Sequence, residues 1–128
     1  GLLCYLLRIT SPEQIATYPL IGSIFENWVI SELKKTFHHH GRQPPLYFWR
    51  DQHGHEVDLV VDRGDSLFCM EIKSGQTFQK NFINAVTWLN NLQNRQDGVC
   101  IYGGDDNFQV NDIMIRSWKD LPDLLEWT

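Results

Sequence analysis

The stretch from Glu56 to Gly75 reads EVDLVVDRGDSLFCMEIKSG, and it decides the fold. Two apolar runs of strand length are joined by Gly64-Asp65, which has glycine at the position that a two-residue type II′ hairpin turn prefers. Such a turn fixes the pairing of the two strands. Counted back from it, Asp58 of the first strand is predicted to lie directly opposite Glu71 of the second, with Cβ atoms about 4.5–5.5 Å apart.

Both strands carry acidic side chains where a sheet core is expected to be apolar. Since successive side chains of a strand point to opposite faces, Asp58 is predicted to share a face with Val60, and Glu71 with Lys73. The opposite face takes Val57, Leu59, Val61, Phe68, Met70 and Ile72. Both faces are largely apolar, which is typical of strands covered on both sides. Two carboxylates this close repel each other unless a cation lies between them, so the pattern indicates a divalent metal.

Composition and charge limit the class of protein. The chain has 128 residues, 42% of them hydrophobic and 21% charged, which indicates one soluble globular domain over 1–128. A net charge of −5 argues against a surface built for long-range attraction to nucleic acid. Cys4, Cys69 and Cys100 form no disulfide or zinc pattern, and no apolar run reaches the roughly 18 residues of a membrane span. A cytoplasmic protein without membrane contact is therefore expected.

Helical and strand periods organise the rest of the chain. The segment Ile21 to Phe37 has the strongest helical pattern, and both Glu26 and Glu32 fall within its apolar arc. The other predicted elements are helices at Leu2–Ile9, Phe78–Leu92 and Leu121–Trp127 and strands at Leu46–Arg50, Gly98–Tyr102 and Ile113–Ile115, with a loop at Gly103–Asn107. The order predicts one α/β domain with a mixed sheet: helix, three antiparallel strands, helix, strand, then an extra strand and short helix. The strand after the helical crossover is predicted to be parallel.

A helix with Glu26, then Asp58, then Glu71-Ile72-Lys73 resembles the PD-(D/E)xK nuclease superfamily, whose restriction-endonuclease-like core runs helix, three strands, helix, strand. Val57 stands where the name-giving proline would be. The wider chain is similar to the domain-of-unknown-function family 4143, which follows the AAA-type ATPase module of prokaryotic ATP-binding proteins. The stretches that carry this similarity are GLL at 1–3, GSIFEN at 22–27, YFWRD at 47–51, HEVDLV at 55–60, EIKSG at 71–75 and YGG at 102–104.

The superfamily resemblance implies a Mg²⁺- or Mn²⁺-dependent phosphodiesterase that acts on DNA or RNA. Asp58 and Glu71 would bind the metal together with the carbonyl of Ile72, and Glu26 would complete the shell. Lys73 would orient the attacking water or stabilise the transition state, and Gln76 would have a minor catalytic role. The family resemblance implies an upstream ATPase module. No G-x-x-x-x-G-K-[ST] phosphate loop occurs in this sequence, and the chain begins without Met, so we expect a fragment without an ATP site.

Two other interpretations stay open. Asp58, Glu71 and Lys73 could form a buried ion-pair network, although such networks seldom stabilise a fold better than apolar packing, and Glu26 could have a hydrogen-bonded structural role. The domain could also be a catalytically inactive module that recognises nucleic acid or a protein partner, which the acidic net charge favours. The sequence does not decide the oligomeric state.

Overall fold

The structure is a computed structural model that describes residues 21–39, 41, 46–50, 52, 54 and 56–121. The predicted helix at 2–9 and the part of the predicted terminal helix after Leu121 lie outside the described residues. Two α-helices are present in the described ranges, α1 (Ile21–His39) and α2 (Asn84–Gln93), the second preceded by a 3-10 turn. The strands are β1 (Leu46–Arg50), β2 (Glu56–Asp62), β3 (Leu67–Lys73), β4 (Val99–Tyr102), β5 (Phe108–Val110) and β6 (Ile113–Ser117).

The described strands form one mixed sheet in the order β1-β2-β3-β4-β6-β5. β1, β2 and β3 are antiparallel neighbours, and β4 then pairs parallel to β3 after the crossover through α2. β6 pairs parallel to β4 and antiparallel to β5. The predicted α/β class, the antiparallel hairpin and the parallel crossover strand are therefore confirmed.

The predicted register of the β2–β3 hairpin is also confirmed. Asp62 pairs with Leu67 and Leu59 with Met70, and the Arg63 N–H donates to the Ser66 carbonyl at 3.0 Å. Gly64 has φ +94°, in the region that glycine adopts without steric cost, as the first central position of a type II′ turn requires.

The predicted alternation along β2 is wrong at one point, because a β-bulge interrupts it. Tyr47 pairs with Val60 and Trp49 with Val57, so two residues of β2, Asp58 and Leu59, oppose the single residue Phe48 of β1. An extra residue shifts the phase of the side chains on the bulged strand. Val57 accordingly packs in the same cluster as Val60 rather than on the opposite face.

Both faces of the sheet are covered, as the sequence predicts. α1 supplies Val29, Ile30 and Leu33 to the cluster on one face. α2 supplies Val86 and Leu89 to the cluster on the other face. Every residue of β4 is buried, as expected of a central strand covered by helices on both sides.

The C-terminal part differs from the prediction of a single extra strand. Within the described residues, two strands follow β4, because β5 forms a hairpin with β6 through Asn111-Asp112. Both turn residues have positive φ, 49° and 68°, as a type I′ turn demands, and Asn and Asp tolerate this conformation. The Asn-Asp pair was therefore an available turn signal.

The two helices also correct details of the sequence interpretation. The helix predicted from Phe78 begins as a 3-10 turn at Lys80–Ile83, and its α-helical part ends at Asn94, a left-handed residue whose N–H donates to the Asn90 carbonyl. Glu32 of α1 is not in the apolar core, since it forms an ion pair at 3.1 Å with Lys35. Neither helix in the described ranges is long and apolar enough to cross a bilayer.

Candidate functional site

Asp58 and Glu71 meet where the hydrogen-bonded ladder between β2 and β3 opens. The last pair of this ladder is Leu59 with Met70, and the register carried one residue further sets Asp58 opposite Glu71. The two carboxylates reach across the gap, since the Asp58 N–H donates to Glu71 Oε1 at 3.1 Å and the Ile72 N–H donates to Asp58 Oδ2 at 2.9 Å. Side-chain oxygens thus accept bonds from strand amides at the position where the two acids face each other.

Glu71 lies in the sheet interior, with 3% of its surface exposed. Burial raises the pKa of its carboxyl to about 8, and the neighbouring Asp58 carboxylate adds to the rise. The Asp58 N–H and the Lys73 ammonium partly offset this by favouring the ionised form. A hydrogen bond between the carboxyl groups of Glu71 and Asp58 also raises the pKa of Glu71, because it favours the protonated form of that carboxyl.

Lys73 is the cation nearest to this pair in the part of the chain that the structure describes. Its Nζ lies 3.5 Å from Glu71 Oε2, and 40% of its side chain is exposed. The ammonium opposes the rise in pKa of both Glu26 and Glu71, so its charge acts on both acids. Lys73 thus combines a buried anionic partner with access to solvent.

Glu26 faces the pair from α1 across a pocket of about 220 Å³. Asp58 and Glu56 of β2 line the same pocket, with Phe48 and Trp49 of β1. Burial raises the pKa of the Glu26 carboxyl, and the Asp58 carboxylate raises it further. The bulge and α1 together bring residues 32 positions apart in sequence to one pocket.

Gln76, predicted to have a minor role, is exposed in the loop after β3, and within the described residues no hydrogen bond joins its side chain to the acids. Gly103 and Gly104 pack directly against the backbone of this loop. A Cβ on Gly103 would collide with the Ser74 carbonyl, and one on Gly104 with the carbonyl of Gln76 and the ring of Tyr102. The YGG stretch therefore permits a close backbone approach beside Lys73.

No group of three His, Cys, Asp or Glu side chains near enough to hold a metal ion forms among the described residues. The structure brings Asp58 and Glu71 into contact, whereas Glu26 shares a pocket with Asp58 and does not complete such a group. The described cysteines, Cys69 and Cys100, are buried thiols, and burial raises the pKa of each to about 12.

A model of a domain of unknown function, DUF4143, matches residues 21–121, which is most of the chain. The chain belongs to the DUF4143 family. The predicted family similarity is therefore confirmed. No curated protein and no solved structure matches this chain.

Sequence reasoning did not assign Phe48 and Trp49 to the candidate site of the DUF4143 domain, although both line its pocket. The aromatic strand that contains them was predicted, but its register against β2 depends on the bulge. An exposed Phe at the edge of a sheet cannot be told from a core Phe by composition alone. Only the structure therefore shows that these two residues line the pocket.

The raised pKa of Glu71 predicts an unusual pH dependence of stability. Because the folded domain keeps this proton where the unfolded chain, with a pKa near 4.5, has lost it, the free energy of unfolding is expected to fall as pH rises from about 4.5 to about 8. In Glu71→Gln this decline should be largely removed, which urea unfolding at several pH values measures in metal-free buffer. Glu32→Gln, at a partly exposed ion pair, is the control and should keep the decline. Parallel curves for wild type and Glu71→Gln would contradict the prediction.

Proposed function

We propose that the DUF4143 domain is a metal-dependent phosphodiesterase of the PD-(D/E)xK type that cleaves DNA or RNA. The observation that carries the proposal is the meeting of Asp58, Glu71 and Lys73 at the open end of the β2–β3 ladder, beside a pocket lined by a further acid. The order of helix, three strands, helix and strand supports the same assignment. The ATPase module expected upstream is part of this proposal.

The acids present suit a hard divalent cation. Mg²⁺ retains several waters and is usually held by one or two carboxylates, so a pair without a third grouped ligand meets its requirement. The raised pKa of Glu71 supports this, because a buried acid beside another acid lacks the positive charge that would keep both ionised. Asp58 and Glu71 would hold Mg²⁺ or Mn²⁺ with the Ile72 carbonyl, and Glu26 is positioned to add a ligand from α1.

When bound, the metal would offset charge on a phosphodiester and acidify a water molecule. The chain supplies the remaining functions. Lys73 presents a point charge to a phosphate oxygen and stabilises the additional negative charge of the transition state. The amides of Asp58 and Ile72 fix the orientation of the two carboxylates through hydrogen bonds of 3.1 and 2.9 Å. The short loop held by Gly103 and Gly104 keeps Lys73 at the edge of the site.

Metal binding is the first test of the proposal. Mg²⁺ or Mn²⁺ titrated into the wild type is expected to give binding heat and to raise the melting temperature, because the ligand binds only the native state. Asp58→Asn should lose both effects, since it removes a charged ligand. Asp62→Asn is the matched control: it makes the same change on the same strand, and the amide oxygen can still accept the Gly64 N–H bond at 2.8 Å. Equal binding heats from wild type and Asp58→Asn would contradict a metal site shared by Asp58 and Glu71.

A non-catalytic module for nucleic acid or a protein partner is the second candidate. Two observations support it. Strand amides already bond both carboxylates, so the acids have partners without a metal. The net charge of −5 also argues against a surface that attracts a nucleic-acid substrate over long range. This function predicts no metal heat, and it predicts that Asp58→Asn is neutral or stabilising because one of two repelling acids is lost. Absence of both metal heat and metal-dependent cleavage of any oligonucleotide by the full-length protein would favour it, whereas metal heat that Asp58→Asn abolishes would count against it.

A further inference from the structure

The pocket beside the acids has one exposed aromatic wall. Phe48 lines it together with Asp58 and Glu26. Its exposure of 71% exceeds that of every other large apolar side chain in the described ranges. Single exposed apolar side chains are common on protein surfaces, but this ring lines the same pocket as Asp58 and Glu26, where covering it with the apolar face of a ligand would be favourable.

The position of this ring follows from the register of β1. Phe48 lies opposite the bulge that carries Asp58. Its neighbours Tyr47 and Trp49 point to the opposite face of the strand, where Trp49 packs against the cluster covered by α2. Phe48 therefore projects on the side of α1, from which Glu26 also reaches the pocket. Among the described strands, β1 lies at the edge of the sheet.

We propose that Phe48 stacks against an unpaired base of the nucleic-acid strand cleaved at the acidic site, so that the domain selects single-stranded DNA or RNA over a continuous duplex. The inference rests on the proposed function, because the acids would hold the adjoining phosphate. Base–aromatic stacking tolerates any sequence, since every base has a π-face. A base within a duplex is already stacked on its neighbours and must be extruded before it can meet a protein ring.

Stacking suits the charge of this pocket. Glu26, Glu56 and Asp58 line it, and the whole chain carries −5. Attraction between Lys or Arg and phosphates supplies most non-specific binding, and the described lining of the pocket contains neither. An uncharged contact on Phe48 adds affinity without that attraction.

The experiment measures binding apart from cleavage. Fluorescence anisotropy of a labelled single-stranded oligonucleotide and of its duplex is recorded with the full-length protein in Ca²⁺, which also takes oxygen ligands. The wild type should bind the single strand more tightly than the duplex. Phe48→Ala should weaken single-strand binding by about tenfold or more, and Phe48→Trp should restore it. Tyr47→Ala is the matched control, because it removes a 57% exposed aromatic from the other face of the same strand.

Each outcome supports or overturns the inference. Equal affinities of Phe48→Ala and Tyr47→Ala, equal binding of duplex and single strand, or no binding by the wild type would overturn it. A dimer of the chain in sedimentation velocity that Phe48→Ala dissolves, without oligonucleotide binding, would instead assign the ring to a second copy. The metal-induced rise in melting temperature is recorded for the same variants. If the wild type shows that rise but Phe48→Ala binds the single strand as tightly as the wild type, only the inference is lost; if the wild type shows no rise, the proposed metal site is lost.

Discussion

Lys73→Ala is expected to reduce metal-dependent cleavage by about 10²–10³-fold, the usual cost of removing one preorganised group that stabilises transition-state charge. The ammonium lies 3.5 Å from Glu71 and is partly exposed, so it can touch a phosphate while its position is held by a buried partner. Single-turnover cleavage of single-stranded and duplex DNA and RNA in Mn²⁺, by the full-length protein, measures the loss.

The fold and the proposed metal site should survive this substitution. Truncation of a side chain that is 40% exposed leaves no closed cavity, and the buried Glu71 carboxyl, whose pKa burial raises to about 8, can stay protonated without the ammonium. Metal heat should therefore be retained by Lys73→Ala, which separates a catalytic role from a structural one. Lys80→Ala, at an exposed lysine of the 3-10 turn, is the control and should cleave like the wild type. Undiminished cleavage by Lys73→Ala would exclude the assigned role.

Gly103→Ala should be the most destabilising of the proposed substitutions, by about 3 kcal/mol or more, because its methyl group would collide with backbone rather than with a movable side chain. The Gly103 N–H also donates to the Gly75 carbonyl at 3.0 Å, so the two segments cannot separate without losing that bond. For a domain of this size the melting temperature should fall by about 10 °C. Thermal unfolding followed by circular dichroism measures it, and metal binding should weaken as the loop beside Lys73 moves.

Gly22→Ala is the control, because its added methyl group would also approach Ser74. Gly22 lies in α1, and an added Cβ would stand 3.9 Å from Ser74 Oγ, an ordinary van der Waals contact. Alanine has the higher helix propensity, so this variant should melt at or above the wild-type temperature. The pair therefore compares a methyl group placed against the backbone of Ser74 with one placed near its side chain. A Gly103→Ala domain as stable as Gly22→Ala would show that the loop can yield.

Much of the architecture was predictable because local chemistry encodes it. Gly64 specifies a two-residue turn, the turn specifies the register, and the register brings Asp58 to Glu71. The parallel strand after α2 follows from an apolar run preceded by a helical pattern, since a crossover requires a helix of that length. The β5–β6 hairpin was missed because β5 has only three residues and mostly exposed side chains, so it lacks the apolar run by which a strand is detected.

Several features of the site depend on tertiary structure. The two acids of α1 illustrate this, because both fall in its apolar arc by sequence, yet Glu32 pairs with Lys35 near the surface while Glu26 lines the pocket. What each helix position meets depends on where the sheet lies beneath it. Helical period defines an arc, and the contacting layer selects which part of that arc is buried.

The sequence alone predicts that Asp58, Glu71 and Lys73 lie together on one hairpin, because the Gly64 turn sets the register of the two strands from neighbouring positions. Only the tertiary structure decided what surrounds them. The bulge opposite Phe48 arises from the pairing of β2 with β1, and the placing of Glu26 arises from the packing of α1 on the sheet. Both depend on contacts between segments distant in sequence, which no local period encodes, and both shape the pocket in which the proposed chemistry takes place.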